Sequence, residues 1–113
     1  MTLEEKIKML NDYAAAWYSS SQADSIHEAT FRGQGFGKFA DRCKAEAEEE
    51  LEEAKKCTER VVALGGKPVF GCVEQPIFCE ILDLLKDWDN GFKEQKGVEE
   101  LEKIAASLTD DSI

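Results

Sequence analysis

An all-α fold is what this 113-residue chain predicts: an up-down helical bundle with two long antiparallel helices and a third that is broken or kinked. Three observations carry the prediction. Inward-facing positions recur in steps of three and four from Phe36 to Leu64, which keeps them on one helix face. The only two prolines, Pro68 and Pro76, lie close together, so the main break falls in one place and both segments before it are free to be helical. Start and stop signals bracket those segments, a capping box at Thr2-Leu3-Glu4-Glu5 and a glycine pair at Gly65-Gly66.

The first helix is expected over about 3–30. Thr2 and Glu5 stand at the spacing that lets each satisfy the other's orphan amide. Leu3, Ile7, Leu10, Ala14 and Trp17 follow at helical spacing. Beyond Tyr18 the apolar pattern weakens through Ser19, Ser20, Ser21 and Gln22. Gly33-Gln34-Gly35 supplies the turn.

The second helix is expected over about 36–64, with a stripe formed by Phe36, Ala40, Cys43, Ala47, Glu50, Ala54, Cys57, Val61 and Leu64. Gly65-Gly66 caps it and Pro68 follows. One member breaks the pattern, because Glu50 sits in the middle of a face that should be buried. The third helix is expected over about 77–108. Phe78, Ile81, Leu82, Leu85, Trp88 and Phe92 lead the stripe, and Val98, Leu101, Ala105 and Leu108 continue it. Gly91 and Gly97 each cost about 1 kcal/mol in a helix interior, which marks the place for a kink or break.

The length fits a single domain over residues 1–113. Twenty-four acidic residues against fourteen basic ones give a net charge of −10. That field repels a phosphate backbone, so nucleic acid is not expected as a partner. No run approaches the roughly 20 apolar residues that span a bilayer, and the N-terminus has no charged-then-apolar layout of a secretory signal. The expectation is a soluble intracellular protein, in the cytoplasm or an organelle interior, with no membrane insertion. No nucleophile–base pair is visible. The glycines at 33, 35 and 37 follow no strand and so make no nucleotide fingerprint.

Six of the eight residues from Glu46 to Glu53 are glutamates. They cannot all face one way on a helix, and Glu48, Glu49 and Glu52 are read as solvated. Glu50 and Glu53 lie three apart on or beside the inward stripe, a spacing at which bundle helices present carboxylates to iron or manganese. Without such a ligand, Glu50 needs a partner or a proton.

The stretch Glu46–Pro68, closing on Glu59-Arg60-Val61-Val62-Ala63-Leu64-Gly65-Gly66-Lys67-Pro68, resembles the second helix of bacterioferritins. The likeness runs back through Phe31-Arg32 and His27 and forward to Ile81-Leu82-Asp83-Leu84-Leu85. It implies a ferritin-like bundle, and carrying the family's functional positions across implies a depleted metal site. The first-helix glutamate ligand falls on Trp17. The bridging glutamate of the second helix falls on Glu50, and the histidine after it falls on Glu53. The third-helix bridging glutamate falls near Phe92, with Glu94 the nearest candidate. The haem-ligating methionine falls on Leu51, so no haem is expected. His27 aligns with a histidine common in the family, although a lone histidine is more often hydrogen-bonded than ligating. The family's fourth helix has no counterpart.

The metal candidates are therefore Glu50 and Glu53, then His27 and Glu94. The first functional reading is a ferritin-like subunit or interaction module without a complete di-iron site. It packs with itself as a homo-oligomer, or joins a larger assembly that supplies the missing helix, and it has no catalytic site of its own; any activity would be of a ferroxidase type. The alternative is iron binding of a ferroxidase type at a carboxylate site built between chains.

Four cysteines, Cys43, Cys57, Cys72 and Cys79, show no zinc-type spacing, and buried free thiols are the simplest reading. On one helix Cys43 and Cys57 are about 21 Å apart at 1.5 Å per residue, beyond disulfide reach. Only Cys72 or Cys79 could bond with each other or with Cys57. Peptide mapping of the non-reduced protein is expected to recover Cys43 and Cys57 in unlinked peptides; a bond between them would overturn the second helix.

Overall fold

The computed structural model describes residues 1–88. Three helices occur there, α1 (Leu3–Gly33), α2 (Gly37–Ala63) and α3 (Ile81–Trp88), with no strand among the described residues. The expected continuation to 108, including Phe92 and Glu94, lies outside the described residues.

The start of α1 is the expected capping box. Thr2 N–H donates to Glu5 Oε1 at 3.0 Å and Glu5 N–H donates to Thr2 Oγ1 at 3.1 Å. The helix runs three residues past the expected end because its stop signal lies at Gly35. Gly35 has φ 89°, its N–H bonds to the Arg32 carbonyl, and Phe36 N–H bonds to the Phe31 carbonyl at 2.9 Å. α2 ends in the same way: Gly65 has φ 78°, its N–H reaches the Val62 carbonyl and Gly66 N–H reaches the Val61 carbonyl. Both are Schellman closures, which require a left-handed residue and so favour glycine.

α3 begins at Ile81 rather than near 77. The backbone before it is already committed elsewhere: Phe78 N–H donates to His27 Nε2 at 3.0 Å, and Gln34 Nε2 donates to the Cys79 carbonyl at 3.0 Å. These bonds satisfy one amide and one carbonyl of the non-helical segment before α3.

The chain forms two compact units. The first comprises Met1–Ser25 and Ala45–Pro76. Here α1 and α2 run antiparallel and meet over small residues, since Ala14, Ser21, Ala47 and Ala54 are buried and Ser21 Oγ donates to the Ala47 carbonyl at 2.7 Å. Tyr18 and Thr58 hydroxyls join the same two helices at 3.4 Å. The chain after α2 lies along α1: Asn11 Nδ2 donates to the Lys67 carbonyl, and Val73 N–H donates to Ser19 Oγ at 2.8 Å. Val61 is the one large side chain fully buried in this unit among the described residues, while Trp17, Tyr18, Val62, Val69 and Phe70 are exposed.

The second unit comprises Ile26–Lys44 and the chain from Ile77 on. It holds an aromatic core of Phe31, Phe39, Cys43, Ile81, Leu84 and Leu85, edged by Phe36, Phe78, Leu82 and Trp88. Phe31 and Phe39 meet edge-to-face at 5.1 Å, a favoured arrangement of the ring quadrupoles. Arg42 lies over the Trp88 ring at 5.0 Å.

The inward stripe expected on α2 is observed, with all nine positions buried or half-buried. Phe39 and Leu84, outside the expected stripes, are also fully buried. None of the four cysteines is in a disulfide, and only Cys43 is buried; Cys72 and Cys79 are exposed and depart from the buried-thiol expectation. The glycine closure is testable by urea denaturation. Gly65→Ala is expected to lose about 1–2 kcal/mol because a Cβ is strained at positive φ. Gly33→Ala, with open space around its Cβ, is expected to hold or gain roughly 0.5–1 kcal/mol.

Candidate functional site

The glutamate run of α2 divides as helix geometry requires. Glu48, Glu49, Glu52 and Glu53 are exposed, whereas Glu46 and Glu50 are half-buried. Glu53 lies at 3.3 Å from Lys56 Nζ, one turn on. Such a surface pair contributes little to stability.

Glu50 faces α1. There the side chain that receives it is Asp24, only 6% exposed, which hydrogen-bonds the Glu50 carboxyl. Two carboxyls can share a hydrogen bond only if one of them carries a proton. Burial, first, and then the hydrogen bond and charge of Asp24, push the Glu50 carboxyl up from 4.5 to about 8, with Glu46 and Glu49 adding to the effect. Glu50 Oε1 is buried with no hydrogen-bond partner among the described residues.

Beside this pair is a cavity of about 380 Å³, walled by Trp17 of α1 and by Glu46, Glu49, Glu50, Glu52, Glu53 and Lys56 of α2. Glu50 and Glu53 thus line one cavity. Trp17, on the position where the bacterioferritin resemblance places a glutamate ligand, stands across from them. His27 is not on that wall. It is 2% exposed in the second unit, between the rings of Phe31 and Phe78 at 6.2 and 5.8 Å, and its Nε2 lone pair accepts the Phe78 amide. Among the described residues no three His, Cys, Asp or Glu side chains come together as a metal-binding group.

Apolar periodicity along α1 gives no sign of Asp24. Its signal was there in another form. Ser21, Asp24 and His27 recur every three residues and are all buried, so the inward face of α1 is polar where the apolar pattern fades.

Two long antiparallel helices, with Glu50 of the second facing the first, define a helical-bundle protein. The model of the ferritin-like domain family matches residues 7–109. This chain belongs to the ferritin-like family. Comparison with curated proteins gives no match, and neither does comparison with solved structures.

The pH dependence of stability follows from Glu50. The unfolded carboxyl ionises near its ordinary value of 4.5, whereas the folded one holds its proton to about 8. The folded state therefore binds more protons between those values, and the contribution of this group falls as pH rises through that window. Glu50→Gln is expected to stabilise the protein by about 1–3 kcal/mol near pH 8, less than full linkage because water reaches the carboxyl. The gain should vanish near pH 4.5 in urea melts run at both pH values. A variant less stable than the parent at both would mean that the carboxylate has a stabilising partner.

Proposed function

We propose that this chain is a ferritin-like helical subunit or interaction module that lacks a complete di-iron site and packs with another chain or with itself. The observation that carries this reading is Trp17 on the wall facing Glu50. A bundle iron centre draws carboxylate and histidine donors from facing helices. The donors described here match that demand poorly: an indole stands where the resemblance puts a carboxylate, and Glu53 is paired with Lys56. The Nε2 of His27 is committed to a backbone amide. The first unit also buries little beyond small side chains while leaving Trp17, Val62, Val69 and Phe70 exposed, surface of the kind that associating proteins cover.

One observation favours a second reading, iron binding between chains. Glu50 and Glu53 line one cavity, and Glu50 Oε1 has no hydrogen-bond partner. Two such pairs brought together would make a carboxylate-rich site.

Anaerobic thermal melting with and without ferrous iron, beside sedimentation at micromolar concentration, separates the two. The expected result is self-association and no iron-dependent rise in melting temperature. A rise that Glu50→Leu abolishes and Glu53→Ala weakens would establish the iron reading, because a ligand of the folded state stabilises it by mass action. A stable monomer that binds no apolar dye would remove the interaction reading.

A further inference from the structure

His27 is a titratable side chain set where it works in one protonation state only. It is 2% exposed, its ring lies between those of Phe31 and Phe78, and its Nε2 accepts the Phe78 amide at 3.0 Å. An imidazole nitrogen accepts only through a bare lone pair, so the clasped ring is neutral with its proton on Nδ1. Protonation puts a hydrogen on Nε2, which then meets the Phe78 N–H donor to donor. The bond and the charged ring exclude each other. The titratable groups about the ring are Asp24, one turn earlier on the same buried face of α1, Glu28, which is paired with Arg32, Cys43 in the adjoining core, and the exposed Cys79 and Glu80 after Phe78. Carboxyls and thiols in water titrate at about 4 and about 8.5, whereas histidine is the side chain whose charge ordinarily changes between those values.

We propose that His27 is an acid-released clasp: protonation of its ring frees residues 77–80 from α1 and exposes the Phe78 ring, while the helices stay folded. Phe78 edges the aromatic core of the second unit, so its release uncovers apolar surface there. The other hold on this segment, from Gln34 Nε2 to the Cys79 carbonyl at 3.0 Å, is uncharged at every pH, and the response to acid therefore rests with His27. Acid acts in the opposite sense on the first unit. The Glu50 carboxyl, pushed up to about 8 by burial and Asp24, contributes more to stability as pH falls. Mild acid thus firms the first unit and loosens the second at Phe78. This device does not depend on whether the chain is an interaction module or binds iron.

The test is nuclear magnetic resonance of the isotope-labelled full chain between about pH 7.5 and about pH 5. Ring-nitrogen shifts report the protonation of His27, the single histidine of the chain, and hydrogen exchange reports the protection of the Phe78 amide. At the upper pH the bare ring nitrogen is expected to be Nε2. On acidification the Phe78 protection, corrected for intrinsic exchange, is expected to fall roughly tenfold in step with ring protonation, while the amides of Ala47 and Ala54 hold theirs. His27→Gln, whose amide oxygen accepts but does not titrate, is expected to remove the pH dependence at Phe78. Circular dichroism checks that this variant is helical; if it is not, the two signals of the parent decide alone. A ring that protonates with Phe78 still protected would overturn the proposal, as would a ring that stays neutral down to about pH 5. Parallel loss at Phe78, Ala47 and Ala54 would overturn it in favour of acid unfolding of the whole chain.

Discussion

The connection from α2 to α3 depends on polar side chains of α1 that grip its backbone. In the first unit Asn11 holds the Lys67 carbonyl and Ser19 accepts the Val73 amide; in the second, His27 accepts the Phe78 amide and Gln34 donates to the Cys79 carbonyl. A connection without helix or strand has no internal ladder for its amides and carbonyls, so each bond from α1 meets part of that need. The bond from the Phe78 amide makes His27 a clasp on the backbone. Ferritin-like folds are distinguished among bundles by a long crossover connection, and this chain supplies one through polar side chains on a single helix.

The polar face of α1 has an electrostatic consequence. Small residues at Ala14, Ser21, Ala47 and Ala54 allow close approach of α1 and α2, and Ser21 sets their contact through the Ala47 carbonyl. That contact brings Asp24 to Glu50, two acidic groups in a poorly solvated place. The arrangement survives because the pair holds a proton, which turns a repulsion into a hydrogen bond at the cost of a pH-sensitive contribution to stability. The second unit is built differently, on Phe31, Phe39 and the apolar face of α3. One unit rests on ring packing and the other on small residues and hydrogen bonds.

Much of this was legible along the chain. The capping box, both glycine stops and the α2 stripe, with Glu50 in it, follow from local rules: a helix period, an orphan amide, a residue that tolerates positive φ. Those rules act between residues a few positions apart, so the sequence alone determines them. It also marked Glu50 as the side chain out of place, and Trp17 as the residue standing where the resemblance puts a ligand.

What tertiary structure decided is which groups meet across the helices. Asp24 is unremarkable in a polar stretch until packing sets it against Glu50, and the Phe78 amide becomes the partner of His27 only when the connection lies along α1. Periodicity records the side of a helix on which a residue lies, but not what arrives to face it, and the protonation of the Glu50–Asp24 pair and the fate of the His27 lone pair are both set by what arrives.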